Sequence, residues 1–195
     1  HEDLGVFTQE VQLSQQAPSD RLRWTAGGYF YRSTEDQIPN TAVTLGFAPA
    51  MYPYGAGTTI GVISYAVYGQ ATYDLTDSLS VTGGLRYSHE QNKARLLGSA
   101  PAVAAFTDTS PYIGLNYQID PDIMFYAKAS KGFRAGGTTP NAALPGGSLA
   151  FDPETAWTYE GGARMEFLDQ RLRVNPTVFL TDWKNIQFNV LIPTP

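Results

Sequence analysis

The sequence predicts an all-β chain: an antiparallel, up-and-down segment of a transmembrane β-barrel with about eight long strands. Three observations predict it. Apolar and polar residues alternate in phase over stretches of about a dozen residues. The connections between those stretches are alternately short and long. The composition is rich in aromatics and glycine but poor in charge.

The composition also excludes several classes. Charged residues are 16% of the 195 and aromatics 13%, with 12 Tyr and 10 Phe, so an intrinsically disordered chain is not expected. Cys is absent, which excludes a disulfide framework and a thiolate metal site. No apolar run is long enough for a membrane-spanning helix. A net charge of −5 argues against a nucleic-acid surface, which needs clustered Lys and Arg. The chain begins at His1 with no initiating Met and no signal peptide, so it reads as mature or as cut from a longer chain.

The elements follow in order. Leu4–Gln15 and Leu22–Ser33 are the first two strands, with the least clean alternation. Tyr65–Leu75 sets Tyr65, Val67, Gly69, Ala71, Tyr73 and Leu75 against Ala66, Tyr68, Gln70, Thr72 and Asp74. Leu79–Glu90 is the clearest. Leu79, Val81, Leu85 and Tyr87 occupy one face, and Ser80, Thr82, Arg86 and Glu90 the other. Pro111–Ile119 and Ile123–Phe133 continue the pattern, followed by Trp157–Phe167 and Arg171–Trp183. The short connections are Gln16–Arg21, Thr76–Ser78, Asp120–Asp122 and Leu168–Gln170, each carrying Asp, as tight turns prefer. The long ones are Thr34–Gly61, Gln91–Asp108 and Arg134–Ala156. Two long strands per short turn and long loop describe a barrel wall; a propeller blade would need four short strands per period.

Strand length and face chemistry point to a membrane. A tilted strand needs about 9–11 residues to cross the hydrocarbon. The polar face carries Arg86, Lys128, Glu160, Arg164, Glu166, Arg171 and Arg173, too many charges for the filled interior of a small soluble barrel. The apolar face carries almost none; Lys131, near a strand end, is the exception in phase. Tyr73, Tyr117 and Phe167 lie near the short turns, and Tyr87 and Trp157 lie toward the long loops, as two interfacial girdles would.

Three tracts then resemble a known family. Tyr68–Gln91 (YGQATYDLTDSLSVTGGLRYSHEQ), Ser110–Gly137 (SPYIGLNYQIDPDIMFYAKASKGFRAGG) and Phe151–Gln187 are similar to barrel hairpins of TonB-dependent outer-membrane receptors. Lys131-Gly132-Phe133-Arg134 followed by Gly136-Gly137 resembles the family's strand end before a long outer loop. Pro153-Glu154 with Tyr159-Glu160-Gly161 resembles the start of the next strand. The resemblance covers most of the chain and is strongest from Tyr65 onward. It implies the central part of a barrel of about 22 strands with a plugged lumen, with neither plug nor TonB box recognisable here. On that basis residues 1–195 form one partial barrel domain in a Gram-negative outer membrane. It also implies binding and import of scarce solutes, ferric siderophore complexes foremost. The implied partners are outer-membrane lipid, TonB acting through a plug outside this chain, and a small-molecule or metal-chelate cargo.

Candidate ligand contacts lie in the outer loops. Phe47, Tyr52 and Tyr54 make one loop unusually aromatic, and Lys93, Arg95 and Arg134 sit at or above the outer strand ends, where an anionic chelate would favour cations. Arg86, Lys128, Glu160, Arg164 and Arg173 are candidates for a lumen network facing a plug, with Glu160 and Arg164 as neighbours. No catalytic residue, resident cofactor or metal site is expected. Glu160 and Glu166 are about 20 Å apart along one strand and cannot act as an acid/base pair. His89 has no identifiable partner for a barrel lipase or protease, and an aromatic-belt role suits it better. A passive porin-like channel remains the alternative reading.

Overall fold

The computed structural model describes residues 2–15, 21–37, 58–96, 100–140 and 148–188. The strands are β1 (Glu2–Gln15), β2 (Leu22–Gln37), β3 (Thr58–Asp74), β4 (Leu79–Leu96), β5 (Ala102–Asp120), β6 (Ile123–Arg134), β7 (Gly137–Pro140), β8 (Ser148–Phe151), β9 (Glu154–Phe167), β10 (Leu172–Val174) and β11 (Thr177–Lys184). One sheet runs β1-β2-β3-β4-β5-β6-β9-β10, with β11 also on β9, and every pair is antiparallel. β7 and β8 form a separate hairpin.

The expected strands are present but most are longer than the alternation suggested. β3, β4 and β5 have 17, 18 and 19 residues. Most of the connection expected over Gln91–Asp108 is therefore strand, and β2 and β3 extend into the one expected over Thr34–Gly61. The physical reason is that backbone pairing outlasts the apolar pattern. Above the lipid the ladder continues while the outward side chains need no longer be apolar. The connection over Arg134–Ala156 likewise contains β7 and β8. The last expected strand, Arg171–Trp183, is split at Asn175-Pro176, because Pro has no N–H for the ladder. The register survives the break: Leu172 pairs Phe167, Thr177 pairs Gly162, and the Ala163 N–H donates to the Pro176 carbonyl at 3.0 Å.

The two faces follow the alternation. Tyr65, Val67, Tyr73, Leu85, Tyr87, Ile113, Leu115 and Tyr117 are exposed on the outward face. Among the described residues no large side chain is fully enclosed, and the buried apolar residues are Ala66, Ala94 and Ala163. This is a wall one layer thick rather than a domain built around a core. Tyr73 and Tyr65 mark two levels of the outward face on β3. Eight residues separate them, about 27 Å along the strand and about 20 Å along the membrane normal at a barrel tilt.

The short turns are held locally. Thr76 Oγ1 accepts from the Ser78 and Leu79 N–H groups at 3.3 and 3.0 Å. Asp120 Oδ1 accepts from the Asp122 N–H at 2.9 Å. Leu168, Asp169 and Gln170 all take left-handed φ values of 52–67°.

Inward tyrosines cover glycines. A side chain on Gly27 would meet the Tyr68 ring at 2.6 Å, and one on Gly162 would meet Tyr126 Oη at 2.8 Å. The missing side chain lets each ring lie flat on the strand, so these glycines position the tyrosines that build the inner face.

Candidate functional site

The inner face carries the polar chemistry in three tiers. Nearest the short turns, Arg23 on β2 donates two hydrogen bonds to the Asp74 carboxylate on β3, at 2.5 and 2.7 Å. Beside them a concavity of about 670 Å³ is lined by Asp74, Ser80, Asn116, Gln118 and Arg164.

The middle tier has two clusters. In the first, Tyr68 Oη donates to Glu10 at 2.5 Å, and the Arg86 guanidinium lies 5.7 and 5.8 Å from the ring centroids of Tyr29 and Tyr68. In the second, Lys128 pairs Glu160 at 3.0 Å, and Tyr126 Oη donates to the same carboxylate at 2.8 Å. Arg164 lies over the Tyr126 ring at 5.8 Å. Glu160 is thus bonded to Lys128 and Tyr126 rather than neighbouring Arg164 as expected. Residues four apart on one strand are separated by about 13 Å, whereas Lys128 and Glu160 are directly paired across β6 and β9. Arg173 pairs Glu166 at 2.7 Å, with the arginine largely exposed.

At the outer mouth the β7–β8 hairpin folds over the inner face of β4 and β5. Asn92 Nδ2 donates to the Gly136 carbonyl at 2.6 Å. Gln187 Nε2 donates to the Ala135 and Asp152 carbonyls, each at 3.1 Å. Gly136 is needed here, because a Cβ would collide with the Phe151 carbonyl and with the Phe106 ring. Below the hairpin a cavity of about 350 Å³ is lined by Ser64, Arg86, Ser88, Glu90, Phe133 and Arg134. A second, of about 220 Å³, is lined by Asn92, Arg134, Thr138, Phe151 and Gln187 among others. The Thr138 hydroxyl is enclosed with no hydrogen-bond partner among the described residues.

Among the residues singled out from sequence, Arg86 and Arg134 line one cavity, and Lys93 and Arg134 border the smaller one. Lys128, Glu160 and Arg164 meet around Tyr126. Lys93 and Arg95 are strand residues of β4, exposed and in phase with Tyr87 and His89. They therefore face outward, away from Arg86. His89 stacks on Tyr65 at 4.8 Å on that same outward face. Phe47, Tyr52 and Tyr54 lie outside the described residues. Sequence reading missed Asn92 and Gln187 because both lie in stretches without apolar alternation. The signal for Asn92 was the polar phase of Arg86, Ser88 and Glu90 continued by two more residues.

A family model described as TonB dependent receptor-like, beta-barrel matches residues 3–195. The chain belongs to this family. Membership in the TonB-dependent receptors sets aside the passive porin alternative, and the family comprises transport receptors of Gram-negative outer membranes. The metal-pseudopaline receptor of Pseudomonas aeruginosa (strain UCBPP-PA14) is 34% identical over 110 residues, covering 52% of this chain and 14% of that receptor. The pesticin receptor of Yersinia pestis is 25% identical over 169 residues, covering 82% of this chain and 24% of that one. The ferric yersiniabactin uptake receptor of Yersinia pestis superposes with a TM-score of 0.77 at 20% identity, over 95% of this chain and 29% of its own. That last likeness is one of fold. The chain spans about a quarter or less of the length of these two curated receptors.

Proposed function

We propose that this wall belongs to an outer-membrane receptor that binds scarce solutes, anionic metal chelates of the ferric siderophore type foremost, and imports them with energy passed from TonB to a plug. The observation that carries the reading is the cavity beneath the β7–β8 hairpin, where Arg86 and Arg134 converge from β4 and β6 at the outer mouth. Paired cations in a partly enclosed site favour an anionic ligand over a neutral one. The Arg86 guanidinium is held by two tyrosine rings, so it is pre-placed rather than free to collapse onto Glu90.

Family membership supports the energised route, and the names of the similar receptors support a metal chelate as cargo. The inner-face tiers around Asp74, Tyr126 and Arg164 are the surface we assign to contact with a plug. Residues 1–195 are accordingly assigned to one partial barrel domain, its sheet open at β1 among the described residues.

The test is uptake of radiolabelled ferric chelates by cells lacking the receptor and complemented with it. Uptake should require TonB and should fall about tenfold or more in an Arg86→Glu/Arg134→Glu variant that still assembles, because each reversal replaces an attraction with a repulsion. Uptake that persists without TonB would overturn the proposal.

A further inference from the structure

The wall splits between β5 and β6. Their ladder ends at Tyr112 with Ser130. Above it β5 stays paired to β4 as far as Ala102 with Ala94, and β6 stays paired to β9 as far as Arg134 with Glu154. Two hydrogen bonds fix which way the β5 backbone points. The Gln118 N–H donates to the Ser78 carbonyl, just before β4, at 2.8 Å, and the Thr109 carbonyl accepts from Lys131 on β6. Even-numbered residues of β5 therefore bond toward β4 and odd-numbered ones toward β6. Pro111 is in the odd phase and has no N–H to give, so the split starts there. Val103, Ala105 and Thr107 turn their N–H and C=O groups toward β6, and no rung meets them among the described residues.

Proteins ordinarily blunt such an edge with charge or proline. Ala102–Thr107 reads Ala-Val-Ala-Ala-Phe-Thr, with neither. Val103, Ala105 and Thr107 are exposed. The β7–β8 hairpin does not take the empty place: β7 pairs β8, and the chain at Gly136 crosses the inner face against Phe106 and Asn92. The edge also reaches the cationic cavity. Phe133 stands in the outward phase of β6 with Lys131, yet it lines the cavity shared by Arg86 and Arg134. The split and the cavity are thus continuous at Phe133. Ser88 and Glu90 of the same cavity pair Asp108 and Phe106, on either side of Thr107. A site for an anion and an open strand edge therefore lie at one height, next to each other.

We propose that the β5 edge at Val103, Ala105 and Thr107 binds a short neutral peptide arm carried by the anionic chelate, added to the sheet as an extra strand. The chelate sits between Arg86 and Arg134, and the arm runs along β5 toward the outer loops. Three residues about 6.8 Å apart each offer an N–H and a C=O, which matches alternate residues of an extended peptide. In strand addition the backbone groups supply affinity and the side chains supply selectivity. A hydrocarbon arm would satisfy none of these groups, and a charged arm finds no counter-charge along Ala102–Thr107. This site depends on the reading of the cavity as one for an anionic chelate, and adds the class of chelate that it takes.

The test uses the full-length receptor in detergent and three forms of a ferric tris-catecholate: bare, bearing a Thr-Val-Thr-Val-amide arm, and bearing that arm with its amides N-methylated. Quenching of tryptophan fluorescence measures Kd. The armed chelate should bind about tenfold tighter than the bare one, and the N-methylated form should fall back to the bare value because its donors are gone. Ala105→Pro removes one donor on the β6 side and leaves the rungs to β4 whole. It should weaken the armed chelate about tenfold and leave the bare one unchanged. Both proteins should show the same heat-dependent gel mobility, which reports barrel assembly. Equal Kd for armed and bare chelates, or tight binding by the N-methylated form, would overturn strand addition in the unmodified receptor, whatever the variant does. Undiminished binding of the armed chelate by assembled Ala105→Pro would overturn the placing of the arm on β5. Failure of all three chelates to bind would overturn the reading of the cavity, and the arm site with it.

Discussion

The Lys131 ammonium on β6 bonds the Asp108 carboxylate on β5 and also donates to the Thr109 carbonyl at 3.3 Å. This contact sits where the β5–β6 ladder stops. The last pair in register is Tyr112 with Ser130, and the next residue on β5 is Pro111, which has no N–H to give. Lys131 occupies the resulting gap. This cation, in the lipid phase of β6, is therefore neutralised between strands. Ser110 Oγ holds the other side of the carboxylate, donating to Asp108 at 2.7 Å.

Removing Lys131 would strand a carboxylate whose side chain is only 7% exposed. Lys131→Met should destabilise the assembled barrel by about 3 kcal/mol, the lower end for breaking a buried pair. Lys131→Met with Asp108→Asn should recover most of that loss. Urea titration of the receptor in lipid vesicles, followed by tryptophan fluorescence, measures both. A double variant no more stable than the single one would sink the explanation.

The wall's two faces make a second prediction. Leu115 is 45% exposed on the outward face, while its neighbour Asn116 lines the inner concavity. Leu115→Arg should cost about 2–4 kcal/mol if it lies near the bilayer midplane, and Asn116→Arg should be close to neutral. The yield of heat-modifiable barrel in outer-membrane fractions gives the comparison. Equal or reversed effects would mean the faces are assigned the wrong way round.

How much of this was legible follows from what makes each part. Leu79–Glu90 was readable because lipid on one side and polar surroundings on the other impose a period of two on the side chains. The outer ends of β4 and β5 were not, because over Asn92–Arg95 and Ala102–Phe106 the backbone ladder continues while the outward side chains need no longer be apolar. The split at Pro176 could have been read from Pro itself. Pairings such as Lys128 with Glu160 depend on inter-strand register, which a single sequence does not display. The glycines of the Arg134–Gly137 tract were visible, but their use was not. Gly136 is needed because a distant element, Phe151, closes on it.

That closure is testable. Gly136→Val places branched bulk against Phe106 and the Phe151 carbonyl. The β7–β8 hairpin should lift from β4, and trypsin should cut after Arg134 several-fold faster in the assembled receptor. Asn92→Ala removes only the 2.6 Å bond to the Gly136 carbonyl and should give a smaller effect in the same direction. Unchanged cleavage in both variants would mean the hairpin is not held this way.

The last prediction concerns charge order on the inner face. Lys128 and Glu160 are direct partners across β6 and β9, and Tyr126 Oη, also bonded to Thr177 at 2.9 Å, fixes the carboxylate. Like charges placed directly opposite on a ladder repel, so Lys128→Glu alone and Glu160→Lys alone should each lower the melting temperature. The double reversal restores opposite charges but leaves Tyr126 beside an ammonium that cannot accept its proton. It should therefore recover part of the loss and not all of it. Adding Tyr126→Phe to the double reversal should then cost little, whereas Tyr126→Phe in the unmodified receptor should cost measurably more. Thermal melts of the five variants and the unmodified receptor, in one detergent, decide it. Full recovery by the double reversal would show that the tyrosine hydrogen bond contributes nothing to the network.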